Sequence, residues 1–140
     1  QDLPSSLQAV VRLRKELFLS LWALTLCGEK MIRVGPAGWS YEDWEEVVYP
    51  SSKGSKFDPL AYLAEYFDTI ELNNTFYRIP TPQMSRSWVK RTRFNPRFRF
   101  SAKLYRNFTH QREALSEADE TDFKNGLAPL LENQVLGALL

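Results

Sequence analysis

Two short segments with alternating side chains decide the fold: residues 69–76 read TIELNNTF, and residues 97–104 read RFRFSAKL. Because successive side chains of a strand point to opposite faces of a sheet, this period of two predicts β-strands. The second segment puts aromatic side chains on one face and polar or basic side chains on the other. Between the two segments, the spacing of apolar residues predicts a helix over Pro82–Arg93.

The flanking sequence continues the same alternation. Ile32–Val34 predicts a first strand, and Asp58 followed by Pro59 predicts a helix start, because Asp caps a helix and Pro suits its first turn. Thr121–Asn133 predicts a third helix and Val135–Leu140 a fourth strand. The order β-α-β-α-β-α-β predicts an α/β fold with parallel strands joined by right-handed crossovers. Either an open doubly wound sheet or the first part of a (β/α)₈ barrel would fit this order.

Length and composition limit the classes of protein to consider. The chain has 140 residues, with 44% hydrophobic and 25% charged residues and a net charge of +1, which is typical of one globular domain. One cysteine cannot form an internal disulfide, and one histidine excludes a multi-histidine metal site within the chain. We therefore assign no set of metal ligands, and the sequence assigns no cofactor. The longest apolar run, residues 17–27, is about half of the ~20 residues that a membrane span requires, so no membrane span is expected.

Residues 1–30 differ from the rest of the chain. Basic residues followed by the apolar run 17–27 resemble the start of a secretory signal, but no A-x-A cleavage site follows. We therefore interpret 1–30 as a leader or non-native extension, helical in part, and expect a cytoplasmic protein whose domain comprises residues 31–140.

Basic residues are concentrated in the middle of the chain. Residues 72–112 contain no Asp or Glu, and several aromatic residues lie among their basic side chains: Arg78, Arg86, Lys90, Arg91, Arg93, Arg97, Arg99, Lys103, Arg106 and Arg112. Such a mixture is what a nucleic-acid groove requires. The members on the predicted helix, Arg91 included, are expected to face solvent, which is the ordinary interpretation of a charged helix face.

A series of motifs runs through the chain in a fixed order. It comprises GWSYxxW at residues 38–44, Tyr49-Pro50, ELNNTFYR at residues 71–78, Trp88, FRFSAK at residues 98–103 and Thr109-His110. This order resembles the YecE-like family, a domain-of-unknown-function family numbered seventy-two, over about residues 32–140. The resemblance implies a TIM-barrel-like fold and no settled reaction. A complete barrel needs roughly 200–250 residues, so we expect a truncated barrel that holds the N-terminal half.

Four residues are candidates for catalysis. Functional side chains of barrels gather at the carboxyl ends of strands, where Glu71, Asn73 and Lys103 are expected to lie together on adjacent strands. Glu71 would act as acid/base or metal ligand, Asn73 as an orienting donor and Lys103 as an electrostatic stabiliser. A structural ion pair and a Schiff-base lysine are alternatives. His110 follows the third strand on a predicted loop, where it is either catalytic or an ordinary surface residue.

Five further residues are candidates for binding substrate. Trp39 and Tyr41 follow the first strand and would form either a stacking wall or a hydrophobic plug. Tyr77, Arg78 and Arg106 follow the next two strands, where they would receive a ring or a phosphate.

Three functions stay open at this point. The first is an enzyme acting on a small or phosphate-bearing substrate at the barrel top. The second is a nucleic-acid-linked phosphodiester hydrolase or binding protein, and the third is a non-catalytic interaction domain.

Overall fold

A computed structural model describes residues 31–52, 54–110 and 116–140. The predicted leader, 1–30, lies outside the described residues. After a 3₁₀ turn at Glu42–Trp44, the helices and strands follow in this order: α1 Pro59–Tyr66, β1 Thr69–Leu72, α2 Asn74–Tyr77, α3 Pro82–Thr92, β2 Arg99–Ala102, α4 Arg106–Thr109, α5 Glu117–Glu132 and β3 Leu136–Leu139.

The three strands form a parallel sheet whose spatial order, β1-β2-β3, is the order of the chain. The segment before the 3₁₀ turn pairs with β1 through a parallel bridge between Ala37 and Glu71, with Gly38 N donating to Glu71 O at 2.9 Å. The predicted strand Ile32–Val34 is therefore wrong in position, because the chain pairs with β1 only later, at Ala37 and Gly38. Ile32 and Val34 themselves are exposed.

One face of the sheet carries the core. Ile70, Leu72, Phe100 and Ala102 are fully buried beneath α1, α3 and α5, and Trp88 of α3 joins them. The predicted packing of Trp88 against the aromatic face of the third strand is confirmed by a ring distance of 6.3 Å to Phe100. The helices thus lie side by side over this face, whereas the side chains of the opposite face are only partly buried: Thr69, Glu71, Arg99 and Ser101.

Close contact between α3 and α5 depends on a glycine. Ser85 Oγ donates to Gly126 O at 2.6 Å, and both residues are buried. A Cβ at Gly126 would lie 2.1 Å from the carbonyl oxygen of Pro80, just before α3. Only a residue without a side chain allows this approach of the two helices.

Helix α5 begins four residues earlier than the predicted Thr121. Ser116 caps it, because the Ser116 hydroxyl accepts from Asp119 N and the Asp119 carboxylate accepts from Ser116 N. This reciprocal capping box extends the helix into the acidic segment that precedes Thr121. Acidic side chains are favourable there because the amino end of a helix carries partial positive charge. No helix in the described part of the chain is long and apolar enough to cross a bilayer.

Candidate active site at the carboxyl edge of the sheet

Glu71 and Lys103 meet at the carboxyl ends of β1 and β2, on the sheet face that the helices leave open. Glu71 lies opposite Ser101 in the register, and Lys103 follows two residues later on the same face. The Lys103 Nζ–Glu71 Oε1 distance is 3.2 Å, with 42% and 24% of the two side chains exposed. The predicted approach of these side chains therefore occurs. Because an ion pair this exposed contributes only ~0.2–1 kcal/mol to stability, stability explains little of its presence.

Asn73 lies beside this pair but not on a strand. Strand β1 ends at Leu72, and Asn73 has helical backbone angles of φ −67° and ψ −32°, so the predicted strand 69–76 is too long. Asn73 Nδ2 donates to Tyr41 Oη at 3.5 Å, and the Tyr41 hydroxyl donates to Ala37 O at 2.6 Å. The first of these contacts is long for a hydrogen bond, so it orients the amide only weakly. Asn73 Oδ1 is buried and has no partner among the described residues.

The two aromatic candidates near the first strand contact different partners. Gly38 has φ +79°, and a Cβ there would lie 2.8 Å from the Tyr41 hydroxyl, so this turn requires glycine. Tyr41 tilts against Trp44 at 4.8 Å. Trp39 instead packs edge-on against Trp88 of α3 at 6.2 Å. Tyr41 therefore belongs to the candidate site, whereas Trp39 packs towards the helix layer.

His110 lies at the end of α4, and its ring contacts the helix that follows β1. Thr109 Oγ1 is 2.7 Å from His110 Nδ1. The His110 ring stands at 87° to the Phe76 ring, with 5.3 Å between the centroids. Since Phe76 belongs to α2, the two short helices that follow adjacent strands are held together by this contact.

The remaining binding candidates are exposed on or just after these short helices. Tyr77 is 67% exposed and leans edge-on against Phe76 at 5.1 Å. Arg78 follows α2, Arg106 begins α4, and both are exposed. An aromatic face and two guanidinium groups are thus available to a ligand on this side of the molecule.

Arg91 is turned inward, which corrects the expectation that it faces solvent. Arg91 Nε donates to Asp58 Oδ2 at 2.7 Å, and Nη2 contacts Asp58 Oδ1. Its guanidinium also lies 5.7 Å from the centre of the Trp39 ring. Burial raises the pKa of Asp58, but hydrogen bonds from Arg91 and from the amides of Ala61 and Leu60, with the charge of Arg91, outweigh burial and hold this pKa below its ordinary value.

Other members of the basic segment also bind within the fold. Arg97 Nη2 lies 3.2 Å from Asp68 Oδ2, and Arg99 Nη1 donates to Phe98 O at 2.7 Å. On α3, the outward orientation predicted for Arg86 and Lys90 is present. The basic segment is therefore not one continuous cationic surface.

Two residues at this edge were not predicted from the sequence. Thr75 is fully buried, and its hydroxyl lies 2.7 Å from both Leu72 O and Lys103 O. Asn107 of α4 is buried, and its Oδ1 has no partner among the described residues. For Thr75, the available signal was the pair of asparagines after Leu72, because Asn is depleted in strands and favoured where the chain turns.

No metal centre is apparent in the part of the chain that the structure describes. There, His, Cys, Asp and Glu side chains do not converge in groups of three or more. Glu71, the residue considered as a metal ligand, is paired with Lys103 instead.

With this fold and these motifs in place, family membership is clear: the chain belongs to the family described as "Protein of unknown function DUF72", whose model matches residues 33–140. It is 33% identical over 115 residues to the UPF0759 protein YunF of Bacillus subtilis, covering 79% of this chain and 39% of that protein. It is 30% identical over 102 residues to the UPF0759 protein YecE of Escherichia coli K12, covering 71% and 34%. The resemblance drawn from the motifs is thereby confirmed.

Solved structures of the family share the architecture. A DUF72 family protein from Enterococcus faecalis V583 is similar with a TM-score of 0.59 and 28% identity, covering 78% of this chain and 38% of that chain. One from Thermotoga maritima MSB8 gives a TM-score of 0.56 and 33% identity, covering 79% and 43%. The chain thus spans about two-fifths of the length of these structures.

Proposed function

We propose that residues 31–140 form the first half of a (β/α)₈ barrel. Strand order that follows chain order, with helices over one face, supports a barrel, because a doubly wound sheet reverses its order and carries helices on both faces. The length of the matched family structures supports the same proposal.

On this barrel, the carboxyl edge is the active site of an enzyme that acts on a small substrate bearing a phosphate or another anion. The observation that carries this proposal is the half-exposed Glu71–Lys103 pair on the open face. Lys103 binds the substrate anion and stabilises charge that develops in the transition state. Glu71 exchanges a proton with the substrate.

Neighbouring residues orient the substrate in this proposal. Asn73 lies beside the pair and orients the substrate by donating a hydrogen bond from its Nδ2 group. His110 serves as a second acid/base. The exposed Tyr77 ring, together with Arg78 and Arg106, binds the part of the substrate that lies outside the reacting centre.

The same geometry argues against Lys103 as a Schiff-base nucleophile. A nucleophilic lysine needs an amine that is free to attack the substrate carbonyl. Lys103 Nζ is instead engaged by Glu71 Oε1 at 3.2 Å.

Binding of nucleic acid is the competing function. Arg91, Arg97 and Arg99 make contacts within the fold, which leaves fewer cations for a polyanion. A nucleic-acid interface would show an affinity that falls steeply with salt and is insensitive to the Glu71–Lys103 pair.

The test is a substrate screen of the full-length protein with phosphomonoesters, phosphodiesters and small hydroxy compounds. Lys103→Met keeps the length of the side chain and removes its charge. We expect turnover to fall by about 10²–10³-fold, the effect of removing one electrostatic stabiliser, with an unchanged unfolding midpoint. Lys90→Met, on the exposed face of α3, is the matched control and should keep full activity. Equal loss of activity in both variants, or loss of stability in step with activity for Lys103→Met, would show that the pair is structural.

A further inference from the structure

We propose that Thr75 is a positioning residue that holds the Lys103 ammonium against Glu71 by joining the ends of β1 and β2. This inference rests on the proposed function only in assuming that the Glu71–Lys103 pair acts in catalysis. The placement of the pair is a property of the folded chain and can be measured without a substrate.

Backbone pairing weakens where the two strands end. Within the ladder, Leu72 lies opposite Ala102. At the next step, Lys103 N lies 3.5 Å from Leu72 O, which is long for a hydrogen bond between amide and carbonyl. Beyond this point the chain leaves β1 for α2, so no further backbone bond from β1 holds Lys103 in place.

The Thr75 hydroxyl links the two strands where their backbone pairing ends. It is 2.7 Å from Leu72 O, the last carbonyl of β1, and 2.7 Å from the carbonyl of Lys103 itself. Both distances are ordinary for a hydroxyl donor. The single proton of the hydroxyl is donated to one carbonyl at a time, so the side chain bridges the two strand ends. Because Thr75 is fully buried, water cannot replace this bridge without repacking.

The consequence reaches the side chain of Lys103. A lysine has four rotatable bonds on its stem, so its ammonium is held in place only as well as the backbone that carries it. The bond from Thr75 to the Lys103 carbonyl holds the backbone of Lys103 two residues after Ser101, which pairs with Glu71. The lysine side chain therefore extends from a fixed backbone position. Without the tether, only the long bond from Lys103 N to Leu72 O joins Lys103 to β1, while the bonds of its neighbours Ala102 and Leu104 to Leu140 hold it on the side of β3. The ammonium is then less firmly placed against Glu71.

The experiment is trace acylation of the full-length protein with an acylating reagent, followed by peptide mapping that gives a rate for each lysine. Thr75→Val removes the hydroxyl at nearly constant volume. We expect Lys103 to be acylated about twofold to fivefold faster, the factor that loss of a half-exposed ion pair produces. Thr75→Ser keeps the hydroxyl and should restore the slow rate. Should Thr75→Val fail to fold, Thr75→Cys carries the same test, since a thiol is only a weak donor.

Two controls separate positioning from general loosening. Thr92→Val removes another fully buried hydroxyl, which bonds Trp88 O at 3.1 Å inside α3, and it should leave Lys103 unchanged. Lys124, paired with Glu120 on α5, should keep its rate in every variant. An unchanged Lys103 rate in the Thr75 variants, or the same increase in Thr92→Val, would overturn the inference. An increased rate in a protein without any turnover in the screen would leave the positioning role intact and remove the enzymatic one.

Discussion

Removing the Asp58 carboxylate tests how helix α1 is attached to helix α3. Asp58 caps α1 by accepting from Leu60 N at 3.0 Å and Ala61 N at 3.3 Å. The same carboxylate pairs with Arg91 of α3. Asp58→Ala therefore loses two interactions at once, whereas Asp58→Asn keeps the cap, because Asn caps helices as well as Asp does, and loses the charge.

The two contributions can be sized separately. A helix cap is worth about 1 kcal/mol. The ion pair has 27% and 33% of its side chains exposed, so solvent screens it in part and it is worth about 1 kcal/mol, the upper end for exposed pairs. We expect Asp58→Ala to lower the free energy of unfolding by about 2 kcal/mol and Asp58→Asn by about 1 kcal/mol.

Urea unfolding at pH 7 and at several acidic pH values measures both effects. Because the pKa of Asp58 is lowered in the folded state, its contribution is present above the unfolded pKa of about 4 and is lost as the pH falls through the lower folded value. The wild-type protein should therefore lose stability more steeply below about pH 4 than Asp58→Asn. Glu120→Gln, which breaks a fully exposed pair on α5, should change nothing measurable. Equal destabilisation by Ala and Asn, or identical acid limbs for Asn and wild type, would refute this account.

Two further predictions concern the core. Gly126→Ala should destabilise the protein by about 1–3 kcal/mol, as overpacking does, because the new Cβ would lie 2.1 Å from Pro80 O. Gly54→Ala is the control and should be neutral, because no atom lies within 4 Å of a Cβ at Gly54. Tyr49→Phe should cost about 1 kcal/mol in urea unfolding, because the buried Tyr49 hydroxyl donates to Trp39 O at 2.5 Å. Burial, followed by the neighbouring Tyr41 and Tyr62, raises the pKa of Tyr49 to about 12. Its contribution should thus fade between about pH 10 and pH 12, and an alkaline limb identical in Tyr49→Phe and wild type would contradict this.

Periodicity predicts the layers of this fold well. Alternation in residues 97–104 places Phe98, Phe100 and Ala102 on the buried face, as the structure has them. It does so because the helix layer covers only one side of the sheet. The ends of elements are less predictable, since they depend on local hydrogen bonds. Alternation predicts that Thr75 lies in a strand, but it lies in a helical turn, and its hydroxyl bonds carbonyls at the ends of both strands.

The candidate site shows the same division. The meeting of Glu71 and Lys103 follows from strand order and side-chain alternation, both of which can be inferred from sequence. The inward turn of Arg91 does not, because helical spacing cannot tell a solvated arginine from one that reaches Asp58, thirty-three residues earlier. The separation of Trp39 from Tyr41 likewise depends on ring contacts, with Trp88 for Trp39 and with Trp44 for Tyr41, which a Gly-Trp-Ser motif does not indicate.

The edge-on contact between His110 and Phe76 can be followed in a proton NMR spectrum of the protein without an added label. These 140 residues contain one histidine, so in a spectrum of this chain the imidazole protons give a single set of resonances. With the rings 5.3 Å apart and nearly perpendicular, ring currents displace those resonances from their positions in an unfolded peptide. Titrating candidate substrates while following this one signal would report, in unlabelled protein, whether a ligand separates the two short helices at the carboxyl edge.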